Sequence, residues 1–322
     1  MNGVMVLDWD QISDLLEYID VYEPMKKAFI EYSLGHAEIP PVGELLFANP
    51  PGEVHIKYGY IQGGSHYVVK IASGFANNRD HNLAPGQGMM ILFDINTGVP
   101  KAVLIDDANL TDLRTGIAGA IASKAMANNG VKSASIIGSG VQARHQARCL
   151  LDVMPIEKIC CWGRNERLLD ELKQDLSDLS VSVTTCSDLR ELIERSQLII
   201  TTTSAKEPII DEEWVQPGTH ITAVGSDTPE KCELDPKILD RASIVVADSI
   251  SQNKERGEIH QGLKKGKVKE EDILELGDIF SGRAEGRTDS DQITVVDLTG
   301  VAVQDLVIAE AVVKANNCLL YT

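Results

Sequence analysis

The chain has 322 residues, with 30 Lys and Arg against 48 Asp and Glu, a formal net charge of −18 at pH 7. Such acidity excludes a protein that reads nucleic acid through a basic footprint. At 43% apolar and 24% charged residues, the composition is that of a globular chain of about two domains. No run approaches the ~18 apolar residues of a membrane helix, and the first ten residues lack the basic and apolar regions of an export signal. A soluble cytoplasmic protein without membrane contact is therefore expected.

In chain order, Trp9–Leu34 reads as a helix, followed by strand-like runs at Val54–Tyr60, Tyr67–Ala72, Met89–Asp94 and Ala102–Asp106, punctuated by Gly and Asn. Strands following one helix predict an α+β unit over residues 1–115. From Thr115 an Ala-rich helix begins, and strands then alternate with helices: Ser133–Ile137, Val141–Leu151, Lys158–Trp162, Leu169–Leu179, Val181–Thr185, Leu189–Arg195 and Leu198–Thr202. Alternation of this kind predicts βαβ units and a doubly wound parallel sheet, to which His220–Val224 and Ser243–Ala247 add strands. Gln292–Leu298 and Val303–Ala315 read as a final strand and a long helix that returns to the first domain. The predicted division is 1–115 with 296–322, and 116–295. Six cysteines (Cys149, Cys160, Cys161, Cys186, Cys232 and Cys318) form no C-x-x-C pair and are expected as buried free thiols. No His lies at ligand spacing from a Cys or another His, so no metal site is expected.

The sharpest motif is Ile136-Ile137-Gly138-Ser139-Gly140-Val141-Gln142-Ala143, a strand entering G-x-G-x-x-A and then a helix. In that context Gly138 permits the tight turn, Gly140 lets backbone approach a pyrophosphate, and Ala143 packs helix on strand. The phosphates then sit at the helix N-terminus. A tight turn with no ligand is the plain alternative. At the end of the second strand, where an acidic residue would hold the ribose of NAD, the chain reads Cys160-Cys161-Trp162-Gly163-Arg164-Asn165. Arg164 suits a 2′-phosphate, so NADP(H) is preferred, although Glu166 can reach a ribose hydroxyl, NAD(H) stays possible and Arg164 can be a plain surface residue.

Three cations stand beside Gly or in apolar strands: Lys57, Lys70 and Arg114. Buried Lys needs a partner and Arg grips carboxylates in a fork, so together they suit a carboxylate ligand. Singly, each can be a surface cation lying along apolar neighbours.

Five segments together resemble the ornithine cyclodeaminase/mu-crystallin family: residues 69–78, 110–116, 137–143, 222–234 and 297–305. The resemblance implies a Rossmann domain beside an α+β substrate domain built from both chain ends, homodimerisation through the latter, and NAD(P)(H) chemistry on imines of small amino acids. It implies Lys70 and Arg114 as the carboxylate anchors, Gly300 also at the substrate, and Asp227, with Lys70, as the catalytic pair; Lys57 and Glu44 are substrate candidates of this chain's own, Lys57 as a replacement cation from the neighbouring strand or Glu44 facing a second amino or hydroxyl group of a different substrate. Asp227 precedes Thr-Pro and can equally be a turn device. The implied cofactor surface comprises Thr115, Gly138, Ser139, Gly140, Val141, Gln142, Gly163, Arg164, Asn165, Thr202, Thr203, Ser204, Val224, Gly225 and Ser226. One departure matters: many relatives carry a cation after Pro-Pro, where this chain has Pro40-Pro41-Val42-Gly43-Glu44. The expected reaction is NAD(P)H-dependent reduction of a ketimine carboxylate such as Δ1-pyrroline-2-carboxylate. Arg164, and a chain that stops at Thr322 without the extension of bacterial ornithine enzymes, tilt the expectation that way. Ornithine cyclodeamination, an alanine-dehydrogenase-like reaction, elimination from a hydroxyproline, and NADPH and ligand binding without turnover stay open.

Overall fold

A computed structural model describes residues 3–319, apart from the side chains of Ala76 and Arg79. The chain forms two compact units, one built from residues up to Arg114 with those from Val301 onward, the other Thr115–Gly300.

In the second unit eight strands lie in the order Ser182–Thr185, Lys158–Trp162, Ser133–Ile137, Leu198–Thr201, His220–Ala223, Thr294–Asp297, Ile244–Ala247 and Ile273–Glu275, and every neighbouring pair is parallel. A sheet covered on both faces needs strands apolar on both faces. Leu198–Thr201, His220–Ala223 and Thr294–Asp297 are accordingly buried at every position. The chain winds outward in opposite directions from Ser133–Ile137 and Leu198–Thr201, the switch point at which open α/β sheets bind ligands beyond the strands' carboxyl ends. The expected doubly wound Rossmann-type sheet is present.

In the first unit the strands run Met5–Leu7, Pro100–Leu104, Gly86–Asp94, His66–Gly74, Pro51–Ile61, with Ala37–Glu38 and Gly43–Ala48 both pairing with Pro51–Ile61. All pairs are antiparallel except the first. Helix Ala302–Leu319 covers one face: Leu306, Ile308, Ala309 and Val312 share a buried cluster with Val68, Met90, Leu92 and Leu104. Each of these side chains larger than alanine contributes about 1.5–3 kcal/mol on burial.

Several boundaries differ from expectation. Trp9–Leu34 is two helices, Trp9–Leu15 and Tyr22–Ser33, parted by a 3-10 turn. Extended backbone at Ile19 interrupts it, and the Asp20 carboxylate accepts the Tyr22 N–H at the restart. The Ala-rich helix begins six residues before Thr115, at Asn109, because the Asp106 carboxylate accepts the Leu110 N–H after a left-handed pair, Asp107 and Ala108. The return to the first unit falls at Val301, not 296, since Thr294–Asp297 pairs on both sides within the parallel sheet. Of the six thiols, Cys149, Cys161 and Cys232 are buried, Cys160 and Cys186 are half-buried and Cys318 is exposed. Among the described residues, no helix is long and apolar enough to cross a membrane.

Candidate cofactor cradle and carboxylate clamp

In the second unit the Gly138 N–H bonds the Trp162 carbonyl at 2.8 Å, linking the ends of two adjacent strands. Gly138 sits at φ +134°, and a Cβ there would stand 2.2 Å from Thr202 Oγ1, so the turn admits only glycine. Gly140 is different: a Cβ would meet no protein atom within 4 Å. It heads helix Val141–Val153 with no side-chain cap, leaving backbone N–H groups at the positive end of the helix dipole. Open space there fits a pyrophosphate. Arg144 braces the loop from behind, donating to the Ser139 and Gly140 carbonyls at 3.0 Å each while pairing with Asp175. Ala143 is fully buried, as close helix-on-strand packing requires.

Beyond the second strand lies a cleft of about 450 Å³ lined by Trp162, Gly163, Arg164, Glu166, Asp170 and Thr185, among others. Asn165 caps Glu166–Asp175, its side-chain oxygen accepting the Leu168 N–H. Other expected contacts also have internal work. The Thr115 carbonyl accepts from Gln146, Thr202 Oγ1 donates to the Ile137 carbonyl, and the Val224 N–H donates to the Thr201 carbonyl. Ser226 donates its hydroxyl to the Lys231 carbonyl. The Gly300 N–H is given to Asp248 at 2.7 Å, and its carbonyl accepts from Gln252. Val141 is exposed, and Gln142 Oε1 accepts from Gln146.

Asp227 lies on the loop after His220–Ala223, its carboxylate half-exposed and 2.5 Å from Lys231 Nζ. Arg256 reaches the Asp227 carbonyl at 3.5 Å. Its ion pair with Lys231 sets the carboxylate on the loop at the carboxyl end of the sheet.

In the first unit Lys57 and Lys70 are directly opposed across antiparallel strands and both are buried. Helix Ala302–Leu319 supplies Asp305, fully buried, whose oxygens lie 3.3 Å from Lys70 Nζ and 3.0 Å from Arg114 Nε. Arg114 also donates to Gln304 Oε1 at 2.6 Å. Burial lowers Lys70 to about 8 despite the opposing attraction of Asp305. Asp106, at the same cluster, is pushed up to about 6, chiefly by burial, and its Oδ1 has no hydrogen-bond partner. Lys70 and Arg114 thus stand side by side with N–H donors of the kind an incoming carboxylate needs. On the same sheet face, two residues along from Lys57, His55 stands 3.5 Å from Glu44 and 3.6 Å from Glu53.

Sequence reasoning missed Asp305, Gln304, Asp106 and Arg144. The first two lie in or beside the segment 297–305 that carried the resemblance, and Lys70 in an apolar strand was itself the signal that a buried acid had to exist.

The profile of the ornithine cyclodeaminase/mu-crystallin family matches residues 3–317. A Sinorhizobium fredii protein named as an uncharacterized cyclodeaminase is 37% identical over 90% of this chain and 89% of its own. Thermococcus litoralis Δ1-pyrroline-2-carboxylate reductase, solved with NADH and L-proline, is 28% identical with a TM-score of 0.91, covering 97% of each chain. Paracoccus denitrificans iminosuccinate reductase, solved with NAD+, is 30% identical with a TM-score of 0.89, covering 98% of this chain and 96% of its own.

Proposed function

The chain belongs to the ornithine cyclodeaminase/mu-crystallin family, and from that premise we propose that it is an NAD(P)H-dependent reductase of a small ketimine carboxylate such as Δ1-pyrroline-2-carboxylate. The observation that carries this reading is the Lys70–Asp305–Arg114 cluster, two buried cations sharing one carboxylate.

In the proposed reaction Lys70 and Arg114 hold the substrate carboxylate, Arg114 through its fork, with Lys57 adding positive charge. When bound, the cofactor supplies hydride to the imine carbon. Asp227, as a carboxylate, accepts the hydrogen bond of the protonated imine nitrogen and keeps it protonated, an acid/base place that a positioned carboxylate can fill. Gly138, Ser139 and Gly140 with the first turn of Val141–Val153 hold the pyrophosphate. Thr202, Thr203, Ser204, Gly225 and Ser226 frame the nicotinamide, and the Thr115, Val224 and Gly300 backbones shape the surrounding wall.

For the cofactor we propose NADPH over NADH, supported by Arg164 in the cleft beyond the second strand. Glu166 and Asp170 line the same cleft, so the preference rests on Arg164 alone. Tighter or equal binding of NADH in paired calorimetric titrations would refute it. For the substrate, Glu44 and Glu53 around His55 favour an imine without a second carboxylate, since like charges repel.

The outer face of the first unit's sheet supports a homodimer. Val6, Val103, Ile91, Val69 and Tyr58 stand in register across five strands, with Val6 56% and Tyr58 39% exposed. A contiguous apolar face of this kind is a common partner surface, and the proposed occupant is a second copy. Light scattering that returns the mass of one chain would overturn this.

The deciding assay follows nicotinamide absorbance when protein and NADPH meet Δ1-pyrroline-2-carboxylate, beside an incubation of L-ornithine with NAD+ tested for ammonia and proline. Loss of NADPH matched by proline supports the reductase. Ammonia and proline without net reduction supports the cyclodeaminase, the second reading, which the 37% identical Sinorhizobium relative favours.

A further inference from the structure

Glu233 is fully buried in the second unit, and neither the cradle nor the proton path uses it. Its carboxylate gathers donors from two separate loops. Thr201 Oγ1 donates to Oε2 at 2.7 Å and the Gly225 N–H to the same oxygen at 3.0 Å, while the Thr203 N–H donates to Oε1 at 2.5 Å. Thr201 and Thr203 flank the turn after Leu198–Thr201. Gly225 opens the loop that carries Asp227 and ends at Glu233 itself. The two loops touch through backbone: a Cβ on Gly225 would stand 2.2 Å from the Thr203 carbonyl oxygen and 2.7 Å from Glu233 Oε2.

We propose that Glu233 is a positioning residue for the dinucleotide, a strut that locks the Thr201–Thr203 turn against the Gly225–Asp227 loop. The inference rests on the reading of these loops as the nicotinamide site. Three donors converging on one carboxylate require acceptor oxygens, and a proton on the carboxyl would turn one oxygen toward a donor. Cofactor affinity is therefore tied to the charge of Glu233.

The surroundings make that charge responsive near neutrality. Burial lifts Glu233 to about 7, against the lowering pull of its three donors. Glu258, from helix Gly257–Lys264, accepts the Glu233 and Leu234 N–H groups at 2.7 and 3.1 Å. It is held well above the usual carboxylate range by burial, then by Glu233 and Asp297. Asp297, at the end of Thr294–Asp297, is raised to about 8 by burial and accepts the Ile259 N–H. Cys232 packs against Glu258, and Lys231 is engaged with Asp227. Burial and mutual repulsion thus favour the protonated form at Glu258 and Asp297, while the donors on Glu233 favour its ionised form.

The test is NADPH binding to the full chain, read by nicotinamide fluorescence between about pH 6 and pH 8.5. A carboxylate near 7 that must be ionised weakens binding about tenfold for each pH unit below its midpoint. Wild type is expected to lose about tenfold in affinity between pH 8 and pH 6. Glu233→Gln places an amide N–H against backbone donors, so it is expected to bind weakly at every pH with a flat profile, which a merely structural side chain would not produce. A flat wild-type profile overturns the proposal whether or not the variant folds, as does a variant that keeps the wild-type slope or its affinity at high pH. Wild type that binds neither NADPH nor NADH at any pH would instead bring down the cofactor reading itself.

Discussion

Gly138 and Gly140 stand two residues apart in one loop, yet the structure assigns them different work, and alanine at each separates folding from binding. At Gly138 the backbone lies at φ +134°, where an L-residue costs about 1–3 kcal/mol. The added methyl would press on Thr202 Oγ1 at 2.2 Å and on the Thr202 carbonyl at 3.1 Å. The hydroxyl can turn, but the carbonyl belongs to backbone tied down by the Thr202 N–H bond to the Ile137 carbonyl, adding about 1–3 kcal/mol of overpacking. A total of about 2–6 kcal/mol lowers the melting temperature of a unit this size by roughly 4–24 °C. At Gly140, φ −84° and ψ −167° suit alanine and the methyl meets nothing. Gly140→Ala should melt like wild type or slightly higher, because alanine loses less chain entropy on folding. Its methyl occupies the space through which a pyrophosphate would approach the helix N-terminus. Losing two charge-assisted hydrogen bonds at about 1.5–3 kcal/mol each weakens NADH binding by a hundredfold or more on the scale of ~1.4 kcal/mol per tenfold. Scanning fluorimetry without cofactor and fluorescence titration with NADH give both readouts. A Gly140→Ala protein that binds NADH normally, or a Gly138→Ala protein that melts normally, would refute the division of labour.

Asp305→Asn keeps the side chain's volume and removes the charge that Lys70 and Arg114 share; two buried cations without their shared counter-ion should cost about 3–5 kcal/mol, seen as a lower urea midpoint, and an unchanged midpoint would contradict the buried cluster. Stability should also fall as pH rises from about 4 to about 8, at up to ~1.4 kcal/mol per pH unit for each titrating group. The reason is that native Glu233 and Asp297, raised to about 7 and about 8 by burial, hold protons that the unfolded chain has already released. Lys70, lowered to about 8, works in the opposite sense only above that pH, where the native state binds fewer protons than the unfolded one. A melting temperature that climbs between pH 6 and 8 would show that these carboxyls are not protonated in the folded chain.

What the sequence disclosed and what it withheld follow from the range of the forces involved. The parallel sheet was legible because each strand satisfies a local requirement: an apolar run of four or five residues such as Leu198–Thr201 can stay buried on both faces. The Gly138–Gly140 turn was legible because its backbone demands are written into single residues. The break inside Trp9–Leu34 was not, because its apolar spacing continues through Leu16 and Ile19, whereas the extended backbone at Ile19 and the side-chain bond from Asp20 to the Tyr22 N–H interrupt it. The short edge strands Ala37–Glu38 and Ile273–Glu275 carry too few residues for any period to emerge.

Buried charge is the harder case, because its partner is chosen by tertiary structure. Lys70 sits between Val69 and Ile71 in a strand whose pattern is otherwise apolar, and no residue near it in sequence can neutralise it. The strand's alternation puts Lys70 on the face that also carries Val68, Met90 and Leu104 toward helix Ala302–Leu319. Burying an ammonium there without a partner would cost several kcal/mol, so the covering helix had to bring an acid to that level. Asp305 and Glu310 are the acids that this helix offers, and Glu310 is taken by His66 at 2.7 Å. Asp305 is the one that meets Lys70. A cation that resists its own strand's pattern therefore locates both its counter-ion and, because Arg114 shares that counter-ion, the point where a substrate carboxylate can be held.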